Sequence, residues 1–261
     1  MDLGLKGKTA WVGGASKGLG RACAEALAKE GARVVLTSRN ADDLATTVEA
    51  LKKQGLEVAG VQADLGSPEA VGRAIDSAVE VFGQIDIAVI NSGGPKAAKF
   101  MELSSKEWEE GYYDTLGYIS DICRKLLPPM AERKWGRIIA ITSIVASEPA
   151  SVLALSSVFR GGVLNLVKII SQDFARDGIT VNNVSPGAFK TDRAISLMSD
   201  RSTRTGETLD EIEAESVKNL PMGRYQSPEE CGSVVAFLAS ELSSAITGSD
   251  IRIDGGIAKG I

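Results

Sequence analysis

The chain has 261 residues, of which 44% are hydrophobic and 24% are charged, the proportions of an ordinary soluble globular protein. Its formal net charge of −5 argues against a surface that binds nucleic acid or an anionic membrane. The sequence contains no histidine, which excludes Ser-His-Asp and Cys-His catalysis, His-ligated zinc and imidazole acid–base chemistry.

Short β-type runs alternate with helix-length segments along the chain. Several runs are almost continuously apolar, which is typical of strands buried on both faces of a parallel sheet. The predicted strands are Thr9–Gly13, Arg33–Thr37, Glu57–Gln62, Ile85–Ile90, Arg137–Ile141, Thr180–Val184 and Asp250–Ile253. The predicted helices are 19–30, 41–54, 68–82, about 105–133, about 152–176 and 228–240. This alternation predicts an α/β Rossmann-type fold, a doubly wound parallel sheet in three α/β/α layers.

One stretch, at about residues 190–222, is polar and charged and contains no strand signal. It is either a solvated helical excursion or a mobile lid, and the lid is favoured because the stretch follows a strand end, where α/β sheets bind ligands. Repeats, linkers and low-complexity tracts are absent from the sequence. Residues 1–261 are therefore predicted to form a single domain.

The remaining composition signals concern the compartment. Cys23, Cys123 and Cys231 are widely separated and form no C-x-x-C pair, so we expect idle thiols in a reducing cytoplasm. No apolar run is expected to approach the ~18 residues of a membrane-spanning helix, and Met1–Lys8 lacks the layout of a signal peptide. We predict a cytoplasmic protein without a metal site and without a membrane or nucleic-acid partner.

A glycine-rich loop follows the first predicted strand. Gly14, Gly18 and Gly20 form G-x-x-x-G-x-G between that strand and a helix. Glycine permits a tight turn and a close approach of the backbone, and the helix N-terminus offers free N–H groups to a pyrophosphate. The loop therefore predicts a dinucleotide site.

The end of the second strand indicates which dinucleotide is bound. An NAD site carries an acidic residue there to hold the ribose 2′-hydroxyl, but the chain has Thr37-Ser38-Arg39-Asn40 and no carboxylate before Asp42. Arg39 and Lys17 can both direct a cation at a 2′-phosphate. NADP(H) is the predicted cofactor, although both residues also fit as ordinary surface cations.

Further motifs follow the other strand ends. Asp64-Leu65 follows the third strand, Asn91-Ser92-Gly93-Gly94 the fourth, and Ser143 closes the fifth, which Gly136-Arg137-Ile138-Ile139 opens; Val181–Gly187 with Thr191, Thr247-Gly248 and Asp254-Gly255-Gly256 complete the set. Together with the glycine loop, these motifs resemble the short-chain dehydrogenase/reductase family over essentially the whole chain, in particular its 3-oxoacyl-carrier-protein-reductase-like members.

The resemblance implies a set of cofactor contacts. Asp64 and Leu65 would contact the adenine, and the loop from Pro186 would lie on the nicotinamide side. The implied residues are Gly14, Ser16, Lys17, Gly18, Leu19, Gly20, Ser38, Arg39, Asp64, Leu65, Asn91, Ser92, Gly93, Arg160, Pro186, Gly187 and Thr191.

The catalytic positions depart from the family pattern. Counted from Ser143, the family's tyrosine and lysine fall on Ser156 and Arg160, and its helix asparagine, counted from Trp108, falls on Thr115. A serine hydroxyl is a much weaker acid than a phenol of pKa about 10, so Ser156 alone is not expected to replace the tyrosine as proton donor. Arg160 keeps the positive charge and can reach the ribose, and the two serines can polarise a carbonyl oxygen.

Other proton donors are open at this point. Tyr112, Tyr113 and Tyr118 lie on the helix that carries Thr115, and Tyr118 shares roughly its face. For each tyrosine, however, core or subunit-interface packing is the favoured interpretation. A lid residue or a bound water is a further alternative, and Ser156 can be read as a small residue that fills the space of a lost ring.

Three hypotheses follow for the function. The first is an NADP(H)-dependent oxidoreductase with an atypical active site that acts on a 3-oxoacyl-like or small ketone or alcohol. The others are a non-redox enzyme on the same scaffold, and a nucleotide-binding sensor or structural protein without turnover. The resemblance also implies a homo-oligomer, a tetramer or else a dimer, formed through the helices at about 105–133 and 152–176 and through the C-terminal segment.

Overall fold

The computed structural model describes residues 1–91 and 93–260. Within them, seven parallel strands form one sheet in the order β3-β2-β1-β4-β5-β6-β7. The strand order reverses between β1 and β4, and ligands of doubly wound sheets bind at the carboxyl ends of the strands beside such a switch point. The predicted fold class is confirmed.

The strands agree with the predicted ones to within two residues. The largest differences are at β4, which begins two residues later than predicted, and at β6, which extends to the proline. The strands are β1 Thr9–Gly13, β2 Arg33–Ser38, β3 Val58–Gln62, β4 Ile87–Ile90, β5 Gly136–Ile141, β6 Ile179–Pro186 and β7 Asp250–Ile253.

Helices cover both faces of the sheet. They are α1 Gly18–Lys29, α2 Ala41–Lys53, α3 Pro68–Phe82, α4 Ser105–Tyr112, α5 Tyr118–Glu132, α6 Ala154–Phe174, α7 Asp192–Thr205, α8 Leu209–Val217 and α9 Pro228–Ala239. The hydroxyl of Ser67 accepts a hydrogen bond from the Ala70 N–H, and Pro68 occupies the first turn, so a side-chain cap and a proline fix the start of α3.

The helix predicted at about 105–133 is two helices. A π-helical turn, Tyr113–Gly117, separates α4 from α5. A Cβ on Gly117 would lie 2.8 Å from the Tyr113 ring, so glycine lets this turn close on that side chain. Hydrophobic periodicity does not register one wide turn inside a continuous helical pattern, whereas π-helical turns are frequent at functional sites.

The central strands of the sheet are buried because helices pack against both of its faces. Ala10 and Val12 of β1 belong to one apolar cluster, and Trp11 between them belongs to the other. Successive strand side chains point to opposite faces, so the continuously apolar runs in the sequence are the strands that supply both clusters.

The polar stretch 190–222 contains α7 and α8. Thr191 caps α7 by accepting a hydrogen bond from Ala194 N–H at 3.3 Å, and Lys190 Nζ lies 2.7 Å from Glu213 Oε1 of α8. The two helices meet each other, and Ile212 is buried. A lid role for this stretch stays a prediction.

One expectation about the helices is wrong. The segment Ser151–Asp177 is 27 residues long and contains an 18-residue window with a mean hydropathy of 1.5, so by length and composition alone it is apolar enough to cross a membrane. The core helix of a soluble protein passes the same test, and Leu155, Val163 and Val167 of α6 are buried. Packing of α6 against β6 accounts for the apolar composition that the sequence reading underestimated.

Candidate functional site

The glycine loop forms a close-fitting turn at the carboxyl end of β1. Gly14 and Gly18 have φ of +57° and +55°, conformations that side chains disfavour. A Cβ on Gly20 would stand 2.3 Å from the Gly14 carbonyl oxygen. The Asn91 side-chain amide donates to the carbonyls of Gly13 and Gly14 at 3.4 Å, so β4 supports the loop.

The start of α1 fits a phosphate group. Lys17 is its N-cap residue, and the Lys17 side chain makes no capping hydrogen bond. The first N–H groups of a helix have no partner within the helix and carry the positive end of its dipole. The glycines of this loop thus leave open a space that larger side chains would fill. A pyrophosphate requires such a space beside free backbone N–H groups.

A cleft of about 270 Å³ opens beside the loop at the switch point of the sheet. Eight of its lining residues are predicted cofactor contacts: Gly14, Ser16, Ser38, Arg39, Asp64, Leu65, Asn91 and Gly93. The sequence motifs did not assign five of the others to the site, and Tyr118 was considered only as an alternative proton donor: the five are Thr37, Ala63, Gly66, Gly94 and Asp114. The predicted contact Ser92 lies outside the described residues.

Only one of the missed residues, Thr37, carries a recognisable signal among the described residues. The Thr37 side chain is buried, and in the described part of the chain its hydroxyl has no hydrogen-bond partner. An orphaned hydroxyl in a cleft wall is a position for a ligand hydrogen bond. Asp114 and Tyr118 are placed there by the π-helical turn, which the sequence pattern does not reveal.

The end of β2 carries the predicted 2′-phosphate residues. The Ser16 and Ser38 hydroxyls are 2.8 Å apart and join the glycine loop to β2. Arg39 lines the cleft. Lys17 Nζ instead lies 2.8 Å from Asp43 Oδ2, and the hydrogen bond to that carboxylate raises the lysine pKa. Of the two cations, Arg39 is thus the one that the structure places in the cleft.

The predicted nicotinamide-side loop lies close to the glycine loop. A Cβ on Gly18 would be 3.6 Å from the Thr191 side chain. Gly187 follows β6, and a Cβ there would stand 2.7 Å from Cα of Asp254, so the C-terminal segment fixes this turn. Pro186, Gly187 and Thr191 are outside the lining of the 270 Å³ cleft, and of the three Thr191 is the one that the structure shows against the glycine loop.

The predicted catalytic residues gather where β5 ends. Ser143 lies two residues beyond the end of β5, and its hydroxyl accepts a hydrogen bond from the Val145 N–H at 3.4 Å. Arg160 Nε donates to the Ser156 hydroxyl at 3.0 Å, and another guanidinium nitrogen donates to the Ile141 carbonyl at 3.3 Å. Ser156 is buried. The two positions that depart from the family pattern therefore form one hydrogen-bonded pair anchored to the end of β5.

Thr115 occupies the centre of the π-helical turn. Its side chain is buried, and within residues 1–91 and 93–260 its hydroxyl has no hydrogen-bond partner. Leu116 beside it packs close to Gly162 of α6, since a Cβ on that glycine would lie 3.0 Å from the leucine. The turn thus presses against the helix that carries Ser156 and Arg160.

The three candidate tyrosines have separate environments. The Tyr113 hydroxyl donates to Asp121 at 2.9 Å, and burial and this carboxylate raise the phenol pKa, which makes it a poorer acid. The Tyr112 ring meets Phe159 edge-on at 5.9 Å. Tyr118 lines the cleft together with Arg39 and Asp64, whereas Ser143 and Ser156 do not.

Comparison with known proteins agrees with this geometry. Residues 14–258 match the family model described as enoyl-(acyl carrier protein) reductase. The chain belongs to the short-chain dehydrogenase/reductase family. It is 32% identical over 258 residues to the 3-oxoacyl-[acyl-carrier-protein] reductase FabG of Aquifex aeolicus, covering 98% of this chain and 100% of that protein.

Solved structures of similar proteins contain the predicted cofactor. L-Sorbose reductase from Gluconobacter frateurii, complexed with NADPH and L-sorbose, superposes with a TM-score of 0.96 at 31% identity over 100% of both chains. A 3-oxoacyl (acyl-carrier-protein) reductase from Agrobacterium tumefaciens with NADP bound gives 0.89 at 34% identity, over 98% of this chain and 96% of the other. The NADP(H) prediction is confirmed at the level of these relatives.

Proposed function

We propose that this chain is an NADP(H)-dependent oxidoreductase that interconverts a carbonyl and an alcohol in 3-oxoacyl-like or small ketone substrates. Its active site is atypical, with Ser156 and Arg160 in place of the family's tyrosine and lysine. The observation that carries the proposal is the single cleft in which the glycine loop, the β2 end and Arg39 meet. Membership of an oxidoreductase family and NADPH-bound relatives support it.

The chain's own residues account for holding the dinucleotide. The N–H groups of the glycine loop and the start of α1 hold the pyrophosphate. Arg39 pairs with the 2′-phosphate, and Asp64 lies with Leu65 at the adenine. When bound, NADP(H) supplies or accepts the hydride. Thr191 and Gly187 border the nicotinamide side.

The hydroxyls of Ser143 and Ser156 bind the substrate oxygen in this proposal. Because Ser156 accepts a hydrogen bond from the Arg160 guanidinium, its own O–H is left to donate to a carbonyl oxygen. The adjacent positive charge stabilises negative charge that develops on that oxygen. Arg160 stays protonated throughout, so it orients and stabilises without delivering a proton.

A non-catalytic dinucleotide-binding protein is the second candidate. Its support is the placement of the tyrosines: Tyr113 is held by Asp121, and Tyr118 lies at the nucleoside end of the cleft. Neither phenol shares a hydrogen bond with Ser143 or Ser156 in the described part of the chain. Such a protein would bind NADPH without consuming it.

The cofactor and the activity are tested together. Purified protein is titrated with NADPH and with NADH by fluorescence, and the Arg39→Asp variant is titrated in parallel. We expect micromolar binding of NADPH and a loss of about 10-fold or more in Arg39→Asp, because a charge-assisted pair is replaced by repulsion. NADH affinity should change much less, since NADH lacks the 2′-phosphate.

The matched control is Arg73→Asp, which makes the same charge change at an exposed position of α3 outside the cleft lining. Equal NADPH affinity in wild type and Arg39→Asp would contradict the assigned role of Arg39. Oxidation of NADPH by a panel of 3-oxoacyl esters and small ketones then separates the enzyme from the non-catalytic binder. If the protein binds neither NADPH nor NADH, both candidate functions, the oxidoreductase and the non-catalytic binder, are wrong.

We also infer a homo-oligomer, a tetramer or else a dimer, and a cytoplasmic location in keeping with three buried free cysteines. Val158 and Ile169 of α6 are 54% and 57% exposed, large fractions for apolar side chains. Phe100, Trp108, Phe159 and Tyr112 continue this surface as an edge-to-face aromatic chain with ring separations of 5.6–5.9 Å.

Sedimentation velocity checks the oligomer. Wild type should sediment near four times, or else twice, the chain mass of 27.4 kDa. Ile169→Asp buries a charge in the interface and should shift the population toward monomer. Val81→Asp, on an apolar side chain of α3 that is 41% exposed, is the matched control. A monomeric wild type would exclude the assembly.

A further inference from the structure

The π-helical turn forms one wall of the cleft and carries a carboxylate there to which the strand-end motifs assign no role. Asp114, in that turn, lines the cleft together with Arg39 of the β2 end and Asp64 after β3. The residue is exposed to solvent and belongs to the cleft lining. Asp114 is adjacent to Thr115 in sequence, but it lies in the part of the site with Arg39 and Asp64, which are assigned to the adenosine half of the dinucleotide.

The charges along this cleft are unbalanced for a phosphate ligand. Among the described lining residues, Arg39 is the one cation, and Asp64 and Asp114 are two carboxylates. Lys17 does not restore the balance, because its ammonium is 2.8 Å from the carboxylate of Asp43. Asp64 is assigned to the adenine, so its carboxylate has a role in binding the dinucleotide. The carboxylate of Asp114 has no such role in a cleft that binds a 2′-phosphate through Arg39.

Asp114 and Arg39 line the same cleft with opposite charges. Although Asp114 is exposed, the surrounding cleft wall partly desolvates its carboxyl group and raises its pKa; the charge of Arg39 lowers that pKa, and the charges of Asp64 and Glu110 raise it. A Coulomb interaction acts on both partners equally, so an ionised Asp114 attracts the Arg39 guanidinium. A phosphate that arrives at Arg39 meets this carboxylate as a competitor and as a like charge.

We propose that Asp114 is a specificity-determining residue, whose carboxylate competes with the 2′-phosphate of NADP(H) for Arg39 and so narrows the preference of the cleft for NADP(H) over NAD(H). The inference rests on the proposed function only for the location of the dinucleotide. It assigns to the π-helical turn a part in nucleotide selection as well as in placing Thr115.

The test is the Asp114→Asn variant, which keeps the shape of the side chain and removes its charge. Calorimetric titration at low ionic strength should show about five-fold tighter NADP⁺ binding, the scale of one partly exposed charge interaction. NAD⁺ affinity should stay within about two-fold of wild type, because NAD⁺ has no 2′-phosphate. The gain should shrink at about 0.5 M salt, where exposed charges are screened.

Glu110→Gln is the matched control. Glu110 precedes Asp114 by one helical turn, lies 3.6 Å from Lys106 and is not in the cleft lining. Removing its charge should leave the ratio of NADP⁺ to NAD⁺ affinity unchanged. An effect of equal size in this variant would mean that the net charge of the helix is responsible, which overturns the assignment to Asp114.

A double variant tests the competition itself. In an Arg39→Ala background, Asp114→Asn should lose most of its five-fold gain, because the guanidinium for which the two anions compete is gone. An undiminished gain there, or an unchanged NADP⁺ preference in Asp114→Asn alone, overturns the inference. Both results leave the proposed function intact, whereas a wild-type chain that binds neither dinucleotide refutes that function first.

Discussion

Gly20→Ala is expected to lower NADP⁺ affinity by about 10- to 100-fold, because a side-chain clash of this kind costs about 1–3 kcal/mol and each 1.4 kcal/mol is tenfold in affinity. The new Cβ would stand 2.3 Å from the Gly14 oxygen, 2.8 Å from the Gly14 carbonyl carbon and 2.9 Å from the Asn91 amide nitrogen. Two of these neighbours are backbone atoms, so relief requires the loop itself to move. That loop supplies the N–H groups for the pyrophosphate.

The matched control is Gly72→Ala in α3. A Cβ on Gly72 has no atom within 4 Å, and alanine is a better helix former than glycine by about 0.5–1 kcal/mol. Gly72→Ala should therefore bind NADP⁺ like wild type and melt at an equal or higher temperature. Thermal melts of both variants show whether Gly20→Ala is folded when its affinity is measured. If Gly20→Ala is folded and its NADP⁺ affinity is unchanged, the glycine loop does not bind the pyrophosphate as proposed.

Periodicity and strand-end motifs predicted most of the fold and half of the cleft. The strands were found because parallel strands buried on both faces are continuously apolar, as Ala10, Trp11 and Val12 are. Ser16, Ser38, Arg39 and Asp64 were found because strand carboxyl ends converge at one edge of the sheet. These signals are local in sequence, and the sheet topology brings them together.

The remaining features depend on contacts that sequence spacing does not encode. The Lys17 ammonium is directed to Asp43 of α2. Asp114 and Tyr118 reach the cleft because one turn of the helix is wider than an α-turn, while the periodicity on either side continues unbroken. The hydrogen bond from Arg160 to Ser156 depends on the rotamers of two side chains on α6.

The second large effect concerns the pair Ser156 and Arg160. The double change Ser156→Tyr with Arg160→Lys should raise the rate of ketone reduction by NADPH about 100-fold, since a positioned general acid contributes about 10²–10⁴-fold. The new phenol supplies a hydroxyl of pKa about 10. The lysine that replaces Arg160 keeps a positive charge beside this hydroxyl. The measurement is steady-state oxidation of NADPH with a generic small ketone.

The control that isolates the proton is Ser156→Phe with Arg160→Lys. It adds the same ring and the same ammonium but carries no phenol hydroxyl, so a gain from filling space would appear in both double variants. Ser156 is buried, so a ring needs room, and the melting temperature and NADP⁺ affinity of each variant establish that the site has survived the change. Equal rates in the two folded variants would mean that the phenol is not what the site lacks.

Adding Thr115→Asn to the tyrosine variant extends the argument to the π-helical turn. The Thr115 hydroxyl is buried and, among the described residues, has no hydrogen-bond partner, a costly state that an interaction in the assembled site would relieve. If Thr115 stands where the family places its asparagine, the triple variant should exceed the double variant in kcat at unchanged NADP⁺ affinity. A triple variant no faster than the double would mean that only the two α6 positions limit the rate. The π-helical turn would then act through Asp114 in nucleotide selection and not through Thr115 in catalysis.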